Sequence, residues 1–342
     1  VKNQTKQRKK GSDRKNRCIL LSALAAVLLA AALILATGCG NSSLDTGKIR
    51  FGTAGKGAVY NSFGRVFAGI LTDEYNGLTI DVKNTEGSAA NLRLLSGGYL
   101  NLAISQADIM NDAYNGVNSY QGKTQLRGYS AIAALYTEVC QIVVRADSGI
   151  KSINDLTGKT VIIGEAESGT ALNARQILTA YGLTGSVVKE KQLDYQEAIE
   201  QLKSKKIDAI FCTAGIQTEF LENLAKSTKI RFLSIDEQQR GNLKKINTSY
   251  IDKTIPAGTY TGQDKAVKTL GVKSVLLASN KLSTHDVKMI TGALFNNKKT
   301  LQASLPIDLE LNPKAAVSGI KIPFHMGAAV YYKEHGIHVR TK

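Results

Sequence analysis

The chain has no tryptophan, only 6% aromatic residues, four cysteines and four histidines among its 342 residues. Without tryptophan and with so few rings it lacks the stacking platforms of a single-strand nucleic-acid reader. Four cysteines are too few for a disulfide-dense scaffold. Three of the histidines (His325, His335 and His338) sit in the last 18 residues, and no HExxH, CxxC or Gly-x-Ser-x-Gly pattern occurs. Zinc-protease, dithiol and serine-hydrolase chemistry therefore have no motif to stand on. What remains is an ordinary globular composition, 43% hydrophobic and 21% charged. Length gives about two domains of ~150 residues.

The formal charge of +16 is unevenly placed. The first 17 residues carry eight basic groups against one acid, and Ser22 is the one polar residue between Ile19 and Ala36. A basic segment leading into an apolar run reads as an export signal. The run is also just long enough to cross a bilayer, so an uncleaved anchor competes with it. Leu35-Ala36-Thr37-Gly38-Cys39 then follows and resembles a bacterial lipobox, in which the cysteine is lipidated. Residues 1–38 are thus expected to be a lipoprotein signal peptide, and 39–47 the anchor, on Cys39, with its tether. Several acyl chains together hold a protein stably at a membrane. Removing residues 1–38 leaves +9, without a basic block fit for nucleic acid. Cys140 and Cys212 remain, both beside apolar runs, and are expected as buried free thiols, with a disulfide between them as the alternative in an oxidising compartment.

From Lys48 onward strands and helices alternate. Val59, Phe63, Val66, Phe67, Ile70 and Leu71 form one helical stripe. Ser88 is placed to cap a helix ending at Gly97-Gly98, and Asp194-Tyr195-Gln196-Glu197 has the pattern of a capping box. The grammar occurs twice. Phe51-Gly52-Thr53-Ala54-Gly55-Lys56-Gly57 corresponds to Ile163-Gly164-Glu165-Ala166-Glu167-Ser168-Gly169. The segment 94–104 corresponds to 201–211. Two similar α/β lobes with predominantly parallel sheets are expected, each sending small polar loops from strand carboxyl ends toward a shared cleft. Each loop opens a helix, whose free N–H groups and dipole suit an anion. No P-loop lysine or dinucleotide spacing accompanies these glycines. His325 fits packing better than base catalysis, and Glu165 and Glu167 serve as well for a helix dipole as for an acid pair.

Several segments together resemble the TAXI family of solute receptors, the extracytoplasmic subunits of one branch of TRAP transporters. They are Phe51-Gly52-Thr53-Ala54-Gly55 with Tyr60, Glu86-Gly87-Ser88-Ala89-Ala90-Asn91-Leu92-Arg93-Leu94-Leu95, and Leu102-Ala103-Ile104-Ser105-Gln106-Ala107-Asp108. Further on come Ala134-Leu135-Tyr136-Thr137-Glu138, Ile163-Gly164 with Ser168-Gly169-Thr170, Ile255-Pro256-Ala257-Gly258-Thr259-Tyr260 and Pro323-Phe324-His325-Met326-Gly327-Ala328-Ala329. Asn61-Ser62 departs from the family's usual Tyr-Pro, and Thr137 and Met326 each stand where proline is common.

The resemblance implies a two-lobed periplasmic-binding-protein type II fold, α/β in class, with its ligand cleft between the lobes. Residues 48–140 and 253–342 would form lobe 1, and 141–252 lobe 2. It implies a small carboxylate ligand, glutamate or dicarboxylate-like, delivered to TRAP membrane permease subunits, with no cofactor, metal or catalytic role. Thr53, Gly55, Tyr60, Ser88, Asn91, Gln106 and Tyr136 would line the cleft from lobe 1. Ser168, Gly169, Thr170 and Gly215 would line it from lobe 2. No arginine sits in these segments apart from Arg93 on its helix, so no salt-bridge partner for a carboxylate is evident. An enzyme on the same fold, with Cys212 as its candidate thiol, and a tethered sensor without a permease are the alternatives.

Overall fold

The computed structural model describes residues 47–342. The export segment and Cys39 lie outside the described residues. No helix among the described residues is long and apolar enough to cross a membrane.

Ten strands lie on one hydrogen-bonded network: β1 (Lys48–Gly52), β2 (Thr79–Lys83), β3 (Leu102–Gln106), β4 (Tyr129–Arg145), β5 (Thr160–Ile162), β6 (Lys189–Lys191), β7 (Ala209–Ala214), β8 (Ile230–Phe232), β9 (Ile251–Ile255) and β10 (Val267–Ser279). The order is β2-β1-β3-β10-β4-β7-β5-β6, with β8 on β4 and β9 on β10. β1 pairs in parallel with β2 and β3, and β5 in parallel with β6 and β7, so the repeated grammar yields two equivalent parallel trios. The other expectation, of predominantly parallel sheets, is modified by β4 and β10. These two long strands run antiparallel to β3, to β7 and to each other.

β4 and β10 also divide the molecule. The buried members of one apolar core come from residues 49–136 and 275–332. Those of two further cores come from 139–272. Each long strand contributes to a core at either end, which makes this the two-lobed type II arrangement with two strands passing between lobes. Ile255, Tyr260, Val267, Leu270 and Val272 pack with the second group.

Helices α1 (Val59–Glu74), α2 (Ser88–Ser96), α3 (Ala107–Asn115), α4 (Gly169–Ala180), α5 (Tyr195–Lys203) and α6 (Glu219–Ser227) matter most for the site. In α1 the stripe read from sequence is the packed face, with Phe63, Phe67 and Leu71 fully buried. Asp194 caps α5 by accepting from Glu197 N at 2.8 Å, and Ser168 caps α4 by accepting from Ala171 N at 3.0 Å. Ser88 does not cap α2. It is the first helical residue, and its Oγ accepts instead from Gln106 N at 3.1 Å. The carbonyl of Glu167, from the other lobe, takes the α2 N–H groups of Ala89 and Ala90 at 3.0 and 3.1 Å. His325 is buried and accepts from Gly327 N at the start of helix Met326–Glu334, a packing and capping role.

Candidate functional site

The loops that leave β1, β3, β5 and β7 converge on one pocket of about 560 Å³, its open mouth included. From the first lobe it is lined by Ala54, Ala58, Val59, Tyr60, Glu86, Gly87, Ser88 and Gln106. From the second come Glu165, Ser168, Gly169, Thr170, Leu193, Tyr195, Thr213, Ala214 and Phe220, with Glu138 on the crossing strand β4.

Of the residues singled out from sequence, Tyr60, Ser88, Gln106, Ser168, Gly169 and Thr170 meet in this lining. Five do not. Thr53 is fully buried, and its hydroxyl donates to Lys83 O at 3.0 Å, holding the end of β2. Asn91 is a clamp beneath the loops: its amide donates to Thr53 O at 2.7 Å and to Ile104 O at 2.8 Å. Gly55 lies beside the Glu165 carboxylate, where an added Cβ would stand 3.5 Å from Oε2. Tyr136 is buried behind Glu138 and donates to its Oε1 at 3.2 Å. Gly215 packs against Ile307, and its carbonyl accepts from Gln141 at 3.3 Å.

Glu138, Glu165, Glu86, Tyr195, Phe220 and Thr213 complete the pocket without having been singled out as site residues. Glu138 had a sequence signal, being the one charged residue in the apolar stretch 129–144. Buried acids are rare unless partnered, and this one is 3% exposed. Tyr60 OH donates to its Oε2 at 3.0 Å, and the Gln106 amide is hydrogen-bonded to it as well. Burial pushes its carboxyl up to about 8, against the pull of these donors. Glu165 is pushed up to about 7, by burial first and then by the nearby charges of Glu86 and Asp194. Tyr195 and Phe220 stack with centroids 4.3 Å apart and give the pocket a flat apolar wall. The Thr170 hydroxyl accepts from Thr213 N at 3.1 Å and shares a 2.8 Å hydrogen bond with Tyr195 OH.

Polar contacts join the two lobes. On the exposed surface, Arg93 makes a two-pronged pair with Glu167 at 2.8 and 2.5 Å, and Glu167 N donates to Glu86 of the pocket lining at 2.8 Å. Deeper in, Asn173 of α4 donates to Asp108 of α3 at 2.7 Å and to Tyr250 OH at 2.8 Å. Asn111 donates to Ser249 at 3.0 Å. Close approach explains Gly169: a Cβ there would fall 2.0 Å from Gln106 Oε1 across the lobe boundary.

Nucleophilic chemistry finds no support at Cys212. Its thiol is buried, absent from the lining, and pushed well up by burial, whereas reactive thiols have lowered pKa values. Cys140 and Cys212 are both free. No group of three or more acids, histidines or cysteines among the described residues is arranged to hold a metal ion.

A pocket walled by two α/β lobes, with hydrogen-bonding groups from each and strands passing between them, defines a two-lobed binding fold. The chain belongs to the NMT1-like family, whose profile matches residues 51–336. Among solved structures, the chain is similar to a protein of Bordetella bronchiseptica RB50 at 20% identity and a TM-score of 0.50, over 86% of this chain and 82% of that one. It is similar also to the periplasmic aliphatic sulphonate binding protein SsuA of Escherichia coli, at 16% identity and a TM-score of 0.42, over 84% and 83% of the two chains. The alkanesulfonate-binding protein SsuA of Xanthomonas axonopodis pv. citri, bound to MOPS, matches at 12% identity and a TM-score of 0.47, over 86% and 92%.

Proposed function

We propose that this protein is an extracytoplasmic solute receptor, lipid-anchored through Cys39, that closes on a small carboxylate and hands it to a TRAP membrane permease. The observation that carries the reading is a pocket lined from both lobes, with Tyr60, Ser88 and Gln106 facing Ser168, Gly169 and Thr170. A ligand touching both walls stabilises the closed arrangement by its differential affinity, and that is how such a receptor signals occupancy. Hydroxyls and the first N–H groups of α4 are suitable partners for a carboxylate. The lipobox-like Leu35-Ala36-Thr37-Gly38-Cys39 supports the anchor, and the chain-long TAXI resemblance supports the permease.

Lobe 1 in this reading comprises residues 48–140 and the C-terminal return, and lobe 2 the middle. The return is better started near residues 272–275 than at 253, because residues 255–272 pack with the second lobe's cores. Native mass spectrometry of the protein as purified, followed by calorimetry against a panel of carboxylates, tests the reading. A bound small acid is the expected result. A folded protein that binds no member of the panel overturns it.

A further inference from the structure

The electrostatics of the pocket narrow the ligand further, on the reading that it takes a small carboxylate. Three carboxylates line it (Glu86, Glu138 and Glu165), and neither lysine nor arginine does among the described residues. A dianion entering such a site would leave water without gaining a cation, and charges buried without partners are costly. Nor are both helix starts open to it. The Glu167 carbonyl already occupies the N–H groups at the start of α2, which leaves the start of α4.

Next to the start of α4 the lining is built for a hydrogen donor. Glu138 is 3% exposed and Gln106 is 1% exposed, and the two are hydrogen-bonded to each other. Gln106 belongs to the pocket lining, and its buried Oε1, close against Gly169, has no hydrogen-bond partner among the described residues, so it has acceptor capacity to spare. We propose that the ligand is a compact zwitterion with one carboxylate and one primary ammonium, the ammonium resting on Glu138 and Gln106 and the carboxylate at the start of α4. A second free carboxylate would meet Glu165 and Glu86 and be repelled. The Tyr195–Phe220 wall with Val59 and Leu193 leaves room for a short, uncharged side chain.

Calorimetry on the full chain at about pH 7 tests this with two matched series: succinate, L-aspartate and L-asparagine, and glutarate, L-glutamate and L-glutamine. Within a series the nitrogen-free diacid should bind about 100-fold more weakly than the uncharged-side-chain amino acid, the scale of leaving a buried charged group unpaired. The acidic amino acid should fall between. Glu138 carries its proton in the empty pocket near pH 7, so an ammonium landing on it expels that proton. Titrations in buffers of different ionisation enthalpy should therefore show release of up to about one proton per ligand. Glu138→Gln should abolish the release and weaken the amino acid, while melting of the unliganded variant reports its folding. A diacid that binds as tightly as its amino acid overturns the zwitterion and leaves the carboxylate receptor standing. If neither series binds the folded protein, the receptor reading fails and this inference falls with it.

Discussion

Asp108 offers the sharpest quantitative test of how the lobes are joined. Its carboxyl is 1% exposed, accepts from Asn173 across the lobe boundary at 2.7 Å, and leaves Oδ1 without a partner among the described residues. Burial pushes it from 3.8 to about 7, with the neighbouring charge of Asp112 adding and the Asn173 bond opposing. Each pKa unit is worth about 1.4 kcal/mol, so the folded protein gives up about 4 kcal/mol by pH 8 relative to a chain whose Asp108 ionises freely. The sign follows from proton binding. Between about pH 4 and 7 the folded state holds this proton and the unfolded state does not, so stability is full below pH 4 and drains away as pH rises through 7. Asp112, pushed to about 6 by burial against hydrogen bonds from Asn118 and Asn247, loses stability over the lower part of the same window. Asp108→Asn keeps the acceptor for Asn173 and removes the ionisation, at about 1 kcal/mol for an amide N–H left unpaired. The variant should therefore gain about 3 kcal/mol in urea unfolding at pH 8 and show no gain at pH 4. A variant equally destabilised at both pH values would falsify the buried, protonated Asp108 and mean that its ionised form holds the lobes together.

Other outcomes follow from single contacts. Arg93→Ala removes a solvent-exposed pair, so stability should change by less than about 1 kcal/mol; ligand release should quicken several-fold, since the pair joins the two lobes, and unchanged release would show that the latch is idle. Gly169→Ala puts a methyl carbon on the Gln106 side chain, so binding should be lost, and Gln106→Ala in the same chain should restore closure, read as compaction by small-angle scattering. Reductant should leave the melting temperature unchanged, because Cys140 and Cys212 are free; a drop would reveal a disulfide.

Local pattern carried much of the fold. The stripe from Val59 to Leu71, the cap at Asp194 and the paired loops after β1 and β5 are all short-range signals, and each element stands where the periodicity puts it. The two long strands were harder to read. Residues 129–145 form an almost unbroken apolar run because β4 is buried along its whole length between neighbours of both lobes, and such a run does not disclose its partners. β10 pairs with β9 at its start and with β3 further on, so the passage between lobes lies inside one strand with no loop or glycine-rich break to mark it. The site divides in the same way. Tyr60, Ser88, Gln106 and Ser168–Thr170 follow strand ends or open helices, where position in the repeat is informative. Tyr195 and Phe220 reach the pocket only through the packing of α5 and α6, and the start of α2 is filled by a carbonyl from the other lobe. Those are long-range facts that propensity does not encode.

The alternation of side chains along a strand ties the hinge to the pocket. Thr137 and Lys273 sit opposite one another where β4 and β10 pass between lobes, and both hold the Glu310 carboxylate, Thr137 Oγ1 at 2.7 Å. The next residue along β4 is Glu138, which the two-residue period turns to the other face, into the pocket and the hydroxyls of Tyr60 and Tyr136. A rotation of the strand between residues 136 and 139 therefore cannot open the lobes without moving the buried carboxyl. Glu138 is held by Tyr60 and Gln106 of the first lobe and shares the pocket lining with Thr213 and Ala214 of the second, so a ligand that reaches it also meets the second lobe. Placing the buried acid on the crossing strand, rather than on a loop, makes filling the pocket and fixing the hinge one event.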